Sequence, residues 1–581
     1  MTNMSAVLKH RGPDDVGFFF DHKVALGNTR LSIIDIKGGH QPIHNENSTI
    51  WITYNGEIYN FQQLRQKLHK LGHQFYTNSD TEVIVHAYEE WGENCVKEFN
   101  GMWAFAIWDS NKKQLFLSRD RLGIKPLYYF LNEKRFVFAS EIKAILLDKA
   151  IQKIPNDRMI YEYLVYGMHD HTEQTFFSQI KRLLPAHNLL IDEKGVQVKK
   201  YWDIPCINKE IESSNKNDDV CAERFLGLFK DSIRLQLTSE VPIGTNLSGG
   251  LDSSAIVCTI NQLLRLNTDL SVVIGERQKT FTAYFEDKQI DEREYAEEVI
   301  AKTGAEGNFV SPSSEELWEE IEKFVYFQEE PCMSSSIYAN WCVQKLASRK
   351  VKVVLNGQGG DELLTGYVMY HLVFLKDLLR KKKVGSFFKE LLSSFDILAP
   401  YIKHYLFSSS SRRLNEIRQL LNDEFICEVN SIVEIPDTRY ENLPNLLYRQ
   451  MTKSNLPALL RYEDKNSMTF SLEARVPFLD HRLIEYVFSL PITQRLKNGW
   501  TKRVLRNAMK GILPEKIRRR RGKIAFATPQ ARWLKELGKE IREVFASSEF
   551  GNRKYFKQER ILKNFAKENQ NTTTPKYFGG Y

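Results

Sequence analysis

The sequence predicts an α+β region followed by an α/β region, and three observations carry that prediction. Residues 1–203 hold short alternating apolar segments separated by turn residues, the pattern of a β-rich layered domain. A stretch at 208–219 made of Asn, Ser, Lys, Glu and Asp reads as a linker. Beyond it, strand-like and helical runs alternate, as in a parallel sheet with crossover helices.

The elements follow in order. Strands are expected at 50–54, 103–108, 115–118 and 136–139, with helices over 61–71 and 81–91. In the second region a strand at 241–247 feeds a helix over 255–264. A strand at 280–285 precedes a helix over 291–302, and a buried strand lies at 352–355. From about 367 onward the pattern is mostly helical. A chain of 581 residues is too long for one core. The division expected is 1–203, a linker at 204–220, a second domain at 221–545 and a tail at 546–581.

Composition excludes several classes. Hydrophobic content of 42% and charged content of 27% are those of an ordinary globular protein. No apolar stretch reaches spanning length and the N-terminus lacks a signal pattern, so no membrane is expected and cytoplasm is the default location. The seven cysteines form no CxxC pair and read as buried thiols. Net charge is +8, with arginines at 518–521 and lysines at 381–383. No nucleic-acid-binding module accompanies these runs, so no nucleic-acid partner is expected. The lysines read as a solvated helix face, and the arginines as an attraction for polyphosphate.

Asn246-Leu247-Ser248-Gly249-Gly250-Leu251-Asp252-Ser253-Ser254 lies at a strand–loop–helix transition. Its glycines and serines leave amide hydrogens and hydroxyls free to converge on an anion at a helix N-terminus. The Lys-Ser/Thr pair of a Walker loop is missing, while Asp252 suits a magnesium ion bridging phosphates. The competing reading is a Ser/Gly turn that caps a helix. Asn356-Gly357-Gln358-Gly359-Gly360-Asp361-Glu362 follows the strand at 352–355. Ligands of open α/β sheets bind beyond the carboxyl ends of strands, so both loops are expected to face one crevice, with Asp361 a second magnesium carboxylate. Taken alone, Asp361 has a helix cap as its competing reading. Ala283, in the neighbouring strand, could offer backbone groups to an adenine ring.

Further motifs are His10-Arg11-Gly12-Pro13-Asp14-Asp15, Arg30-Leu31-Ser32, Tyr54-Asn55-Gly56-Glu57-Ile58-Tyr59-Asn60, Ser79-Asp80-Thr81-Glu82, Arg119-Asp120-Arg121-Leu122-Gly123 and Glu473-Ala474-Arg475-Val476-Pro477-Phe478. With the two loops, they resemble the glutamine-dependent asparagine synthetase family over nearly the whole chain. The resemblance implies an N-terminal-nucleophile hydrolase-like β-sandwich layered with helices. An ATP pyrophosphatase (adenine nucleotide alpha hydrolase-like) domain with a helical C-terminal part would follow. ATP and Mg2+ are the cofactors implied. Leu247, Ala283, Asn356 and Gly357 would line the nucleotide, and Ser248, Gly249, Gly250, Ser253 and Ser254 would cradle pyrophosphate. Asp252 and Asp361 would hold magnesium, and Lys523 would steady charge near the reacting carboxylate; read without the family, Lys523 is one of many surface lysines. In the front domain Asn55 and Gly56 would form an oxyanion hole, Arg30 would pair with glutamine's carboxylate, and Glu57 and Asp80 would take its ammonium. Read alone, the segment 55–60 could equally be a polar turn ahead of a helix.

Two departures stand out. The family's nucleophile is a cysteine just after the initiator methionine, whereas this chain begins Met1-Thr2-Asn3. Cys95 lacks a free amine and Thr2 lies too close to the motif at 10–15, so the chain as given is expected not to hydrolyse glutamine. Either an earlier start supplies Met-Cys-Gly, the favoured reading because the glutamine-binding residues remain, or ammonia is used directly. Gln358 stands where relatives often carry glutamate, and an amide cannot act as a base near neutral pH. The leading expectation is asparagine formation from aspartate through a β-aspartyl-AMP intermediate. Alternatives are amidation of a sugar or peptide carboxylate, and a non-catalytic ATP-binding regulator. Oligomeric state is left open, a homodimer being one outcome.

Overall fold

A computed structural model describes residues 1–205, 217–266, 271–287, 290–407, 410–430, 442–522 and 527–570. Among these residues the front region is built on a six-stranded antiparallel sheet. Its strands run in the order Gly195–Lys200, His187–Asp192, Gln114–Arg119, Gly101–Asp109, Ile50–Ile58 and Ile43–His44. Alternation along Gly101–Asp109 assigns its side chains to two layers. Trp103, Phe105 and Ile107 join the apolar core shared with the helices Phe61–Lys70 and Asp80–Trp91. Ala104, Ala106 and Trp108 instead pack with Leu26, Leu127, Tyr129 and Leu183. Those partners lie on or beside the ribbon Asp15–Phe20/Ala25–Arg30 and a three-stranded sheet containing Tyr128–Leu131. This is the layered β arrangement expected. Asn55 to Ile58 continue the strand Ile50–Ile58 and pair with the strand Gly101–Asp109, while Tyr59 and Asn60 form a turn ahead of the helix Phe61–Lys70, so the polar-turn reading holds only for the end of this segment.

The back region carries a five-stranded parallel sheet, ordered Glu306–Val310, Lys279–Ala283, Ile243–Asn246, Val353–Leu355 and Glu473–Arg475. The three inner strands are those read from apolar runs. The two edge strands escape that reading because Glu-Gly-Asn-Phe-Val and Glu-Ala-Arg hold little apolar sequence. Helices Asp218–Gln236, Leu251–Leu266, Arg293–Thr303 and Ser336–Ala347 accompany this sheet. The helix Leu456–Thr469 is mostly buried despite carrying Arg461, Glu463, Asp464 and Lys465 in one turn. Near the C-terminal end, the helix Gln558–Gln570 buries Ile561 and Phe565.

One expectation about charge is corrected, that for the lysines. The lysines at 381–383 lie beyond the helix Met369–Arg380 and before Val384–Phe407, exposed but in a connection rather than on a helix face. The arginines at 518–521 are committed to protein partners: Arg518 and Arg519 to Glu515 at 2.7 and 2.9 Å, Arg520 to Glu292 at 2.5 Å, and Arg521 to Asp396 at 3.2 Å. No described helix is long and apolar enough to cross a membrane.

Candidate active site

The carboxyl ends of adjacent parallel strands place the two glycine-rich loops against each other. Thr245 pairs with Leu355 at the strand tips, and each loop leaves from there. A Cβ built on Gly357 would stand 3.1 Å from the Asp252 Cβ, and one on Gly360 would stand 2.8 Å from its carboxyl carbon. Only residues without side chains permit that approach. Gly249 has φ of +76°, and a Cβ there would meet Tyr295 at 2.8 Å.

Within the first loop, Ser253 Oγ accepts from the Ser248 amide at 3.2 Å, and Ser248 Oγ accepts from the Gly250 amide at 3.3 Å. The Leu247 amide donates to Phe281 O at 2.8 Å, drawing the third strand tip and Ala283 to the same edge. Asp252 and Asp361 share one buried cation, the ammonium of Lys502, which lies 2.7 Å from Asp361 Oδ1 and also bonds Asp252 Oδ2. The other Asp252 oxygen is buried and has no hydrogen-bond partner among the described residues, as is Ser254 Oγ. Thus Leu247, Ser248, Gly249, Gly250, Asp252, Ser253, Ser254, Ala283, Asn356, Gly357 and Asp361 meet at one sheet edge. Lys523 lies outside the described residues.

Sequence reasoning missed Lys502 and Glu463. Lys502 sits at the start of the helix Arg503–Ala508 with no motif around it. Glu463 faces the second loop: it accepts from Gln344 Nε2 at 2.7 Å and from Asn340 Nδ2 at 3.3 Å, with Gln358 and Asn356 also contributing. Burial pushes its carboxyl up to about 7, against those hydrogen bonds that pull it down. A signal existed: four charged or acidic residues among five consecutive helical positions cannot share one solvent face at about 100° per residue.

In the front region a cavity of about 150 Å³ is lined by Arg30, Asn55, Gly56, Glu57 and Asp80. Met1 and Met4 border it, as do Met468 and Glu473 from the back region. Asn55 Nδ2 is buried with no acceptor among the described residues. Arg30 already donates to three carbonyls, those of Ile34, Asp35 and Ile36, at 2.7–3.2 Å. Asp80 accepts from the Tyr54 hydroxyl and the Ile58 amide, both at 2.9 Å, and burial holds its carboxyl at about 6. One Glu57 oxygen binds Arg475 at 3.1 Å, while burial and Asp80 push its carboxyl up. No cysteine is among the cavity's described lining residues. Cys95 is buried elsewhere in the front core, where burial raises its thiol.

Buried charges join the two regions. Arg11 holds Asp464 through two bonds, at 2.8 and 3.0 Å, and Glu141 at 3.0 Å. Arg461 reaches Asp170 at 2.9 Å, and Lys465 contacts Glu329 and Glu141.

A layered antiparallel unit with a polar cavity, joined to a parallel sheet with paired acidic loops, has the two-part layout of the amidotransferase–ligase class. Residues 1–202 match the glutamine amidotransferase domain family and residues 224–577 the asparagine synthase family. The chain belongs to the asparagine synthase family. It is 34% identical over 532 residues to asparagine synthetase (glutamine-hydrolyzing) 3 of Bacillus subtilis, covering 89% of this chain and 82% of that protein. Identity to asparagine synthetase (glutamine-hydrolyzing) 1 of the same organism is 31% over 573 residues, covering 94% and 86%. Amidase chyE of Penicillium rubens is 29% identical over 567 residues, covering 87% and 81%.

Proposed function

We propose that this chain makes asparagine: the β-carboxylate of aspartate attacks the α-phosphate of ATP, pyrophosphate leaves, and ammonia displaces AMP from β-aspartyl-AMP. The observation that carries the reading is the meeting of Asp252 and Asp361 around one buried cation at adjacent strand tips. The loop amides and hydroxyls, which bond one another in the free loop, would turn to the pyrophosphate as it accumulates charge. Asp252 and Asp361 fit a magnesium ion, since both carboxylates already balance a cation and one Asp252 oxygen has no partner among the described residues. Bound there, magnesium would offset the charge of the pyrophosphate. Lys502 would share that task, and Lys523 is assigned to the reacting carboxylate on family resemblance.

Glu463 supplies the carboxylate that Gln358 cannot. A group held at about 7 accepts a proton from the attacking ammonia near neutral pH, and Gln358 orients it by hydrogen bonding. The rate of amide formation should therefore rise with pH through about 7, and Glu463→Gln should flatten that limb and lower kcat by about 100-fold or more. Stability moves the other way. Because burial raises this carboxyl above its ordinary 4.5, the stabilisation is full below 4.5 and lost as pH rises through 7, on the order of 3 kcal/mol. Denaturant melts should show Glu463→Gln gaining on the parent at pH 8 and not at pH 4.

In the front chamber Asn55 Nδ2 and the Gly56 amide would receive the oxyanion of a glutamine amide, with Arg30 at the carboxylate and Glu57 and Asp80 at the ammonium. With ammonium as nitrogen donor the chain should form amide even when Asn55 is replaced by Ala, whereas any glutamine-dependent amide formation should be lost, as amino-acid analysis of the products would reveal. The similarity to an amidase and the amide at Gln358 favour a second reading, another carboxylate in place of aspartate. Pyrophosphate release measured across a panel of acids decides between them: dependence on aspartate supports asparagine formation, and release with another acid alone overturns it.

A further inference from the structure

The helix Asp80–Trp91 presents, on the side away from its cavity-lining start, a cluster that the amide chemistry does not use. His86 and Glu89 stand one turn apart on this helix, His73 follows the helix Phe61–Lys70, and Glu46 follows the strand Ile43–His44. The ligand-capable atoms of these four residues all lie within 4.8 Å of one another. His86 Nδ1 is 3.5 Å from Glu89 Oε2 and 3.7 Å from Glu46 Oε2, and His73 Nδ1 is 3.6 Å from Glu89 Oε2. Two ligands of a tetrahedral ion at about 2.0–2.1 Å are separated by roughly 3.3 Å. These three spacings are close to the edges of such a tetrahedron, and the remaining ones stay within 4.8 Å.

We propose that Glu46, His73, His86 and Glu89 form a binding site for one divalent transition-metal ion, with zinc as the fitting ion. His86 is fully buried, and neither ring nitrogen makes a hydrogen bond within the described residues. Its Nδ1 points at the two glutamates, so the ring is aimed into the cluster. The surroundings are those that orient ligands at a metal centre. Behind His86, Nε2 faces Glu82 at 3.5 Å, and that carboxylate is fixed by the Tyr76 and Thr77 amides at 2.8 and 2.7 Å. Behind His73, Nε2 faces Glu90 at 3.3 Å. A carboxylate behind each imidazole fixes its tautomer and strengthens it as a ligand. The second oxygens of the two ligand glutamates are held as well, Glu46 by the Gln74 amide at 2.9 Å and Glu89 by Asn45 Nδ2 at 3.1 Å. Two imidazoles and two carboxylates neutralise a dication, and nitrogen with oxygen ligands suits zinc better than calcium or magnesium.

The ion would tie the segment after one helix and the turn after a strand to the helix that begins with Asp80. Asp80 lies six residues from His86, about 9 Å along the axis. The site is thus a brace for a wall of the glutamine cavity, and it stands whether or not the product is asparagine.

The test uses the full polypeptide, stripped with a chelator and titrated with Co2+ and then Zn2+. Expected are one ion per chain, the intense visible bands of tetrahedral Co2+, their loss on zinc addition, and a zinc-dependent rise in Tm. His86→Ala and His73→Asn should remove the bands, and Glu90→Gln should weaken zinc binding about 10- to 100-fold. Should the buried His86 variant fail to fold, Glu46→Gln at the exposed rim and His73→Asn carry the same readout. Weak octahedral spectra in the parent, or equal stoichiometry in parent and variants, would overturn the proposal.

Discussion

Asp252→Ala should abolish ATP-dependent pyrophosphate release, with a loss in kcat of roughly 1,000-fold or more, equivalent to about 4 kcal/mol of transition-state stabilisation. The size follows from position. Asp252 sits where the two loops meet and holds Lys502 jointly with Asp361. Removing its carboxylate takes away one of two negative groups available to a phosphate-bound cation and loosens Lys502. The fold should survive, because Asp361 still pairs with the buried ammonium. Pyrophosphate release, a magnesium titration and a thermal melt on one preparation test this. An unchanged rate would remove nucleotide chemistry from this pair of loops. Asp252→Asn sharpens the result: it keeps the shape and loses the charge, so it should resemble alanine in rate.

The second large effect belongs to the charges between the regions. Arg11→Ala should destabilise the chain by about 3–5 kcal/mol, because it leaves Asp464 and Glu141 buried after losing their guanidinium partner. The arginine itself is held firmly charged by those carboxylates despite its burial. Asp464→Leu alone should be costly for the same reason, since Arg11 then keeps only Glu141. The pair Arg11→Met with Asp464→Leu should recover part of the loss, as apolar replacement of a whole buried pair often does. Urea unfolding of the parent, Arg11→Met, Asp464→Leu and the double variant gives the cycle. Additive losses in the double variant would show that the two side chains do not act as a unit.

These two cases mark what the sequence discloses and what it hides. Asp252 and Asp361 were legible because glycine, serine and acid at the ends of apolar strands leave few alternatives to anion or metal chemistry. The inner strands of the parallel sheet were legible for a related reason, their apolar runs. Glu473-Ala474-Arg475 was not, because its charged ends read as surface whereas Arg475 is buried and paired with Glu473 at 2.8 Å and Glu57 at 3.1 Å. Charged residues normally read as surface, and that prior concealed Glu463 and Lys502. Asn55 and Gly56 lay between: the motif marked them as candidates, but their place inside a strand depends on pairing with Ala104 and Trp103 nearly fifty residues away.

One turn of the helix Leu456–Thr469 points Arg461, Asp464 and Lys465 toward the front chamber and Glu463 toward the nucleotide loops. Because one helix carries both sets of contacts, a substitution that loosens the front ion pairs should also disturb the seat of Glu463 beside Gln358.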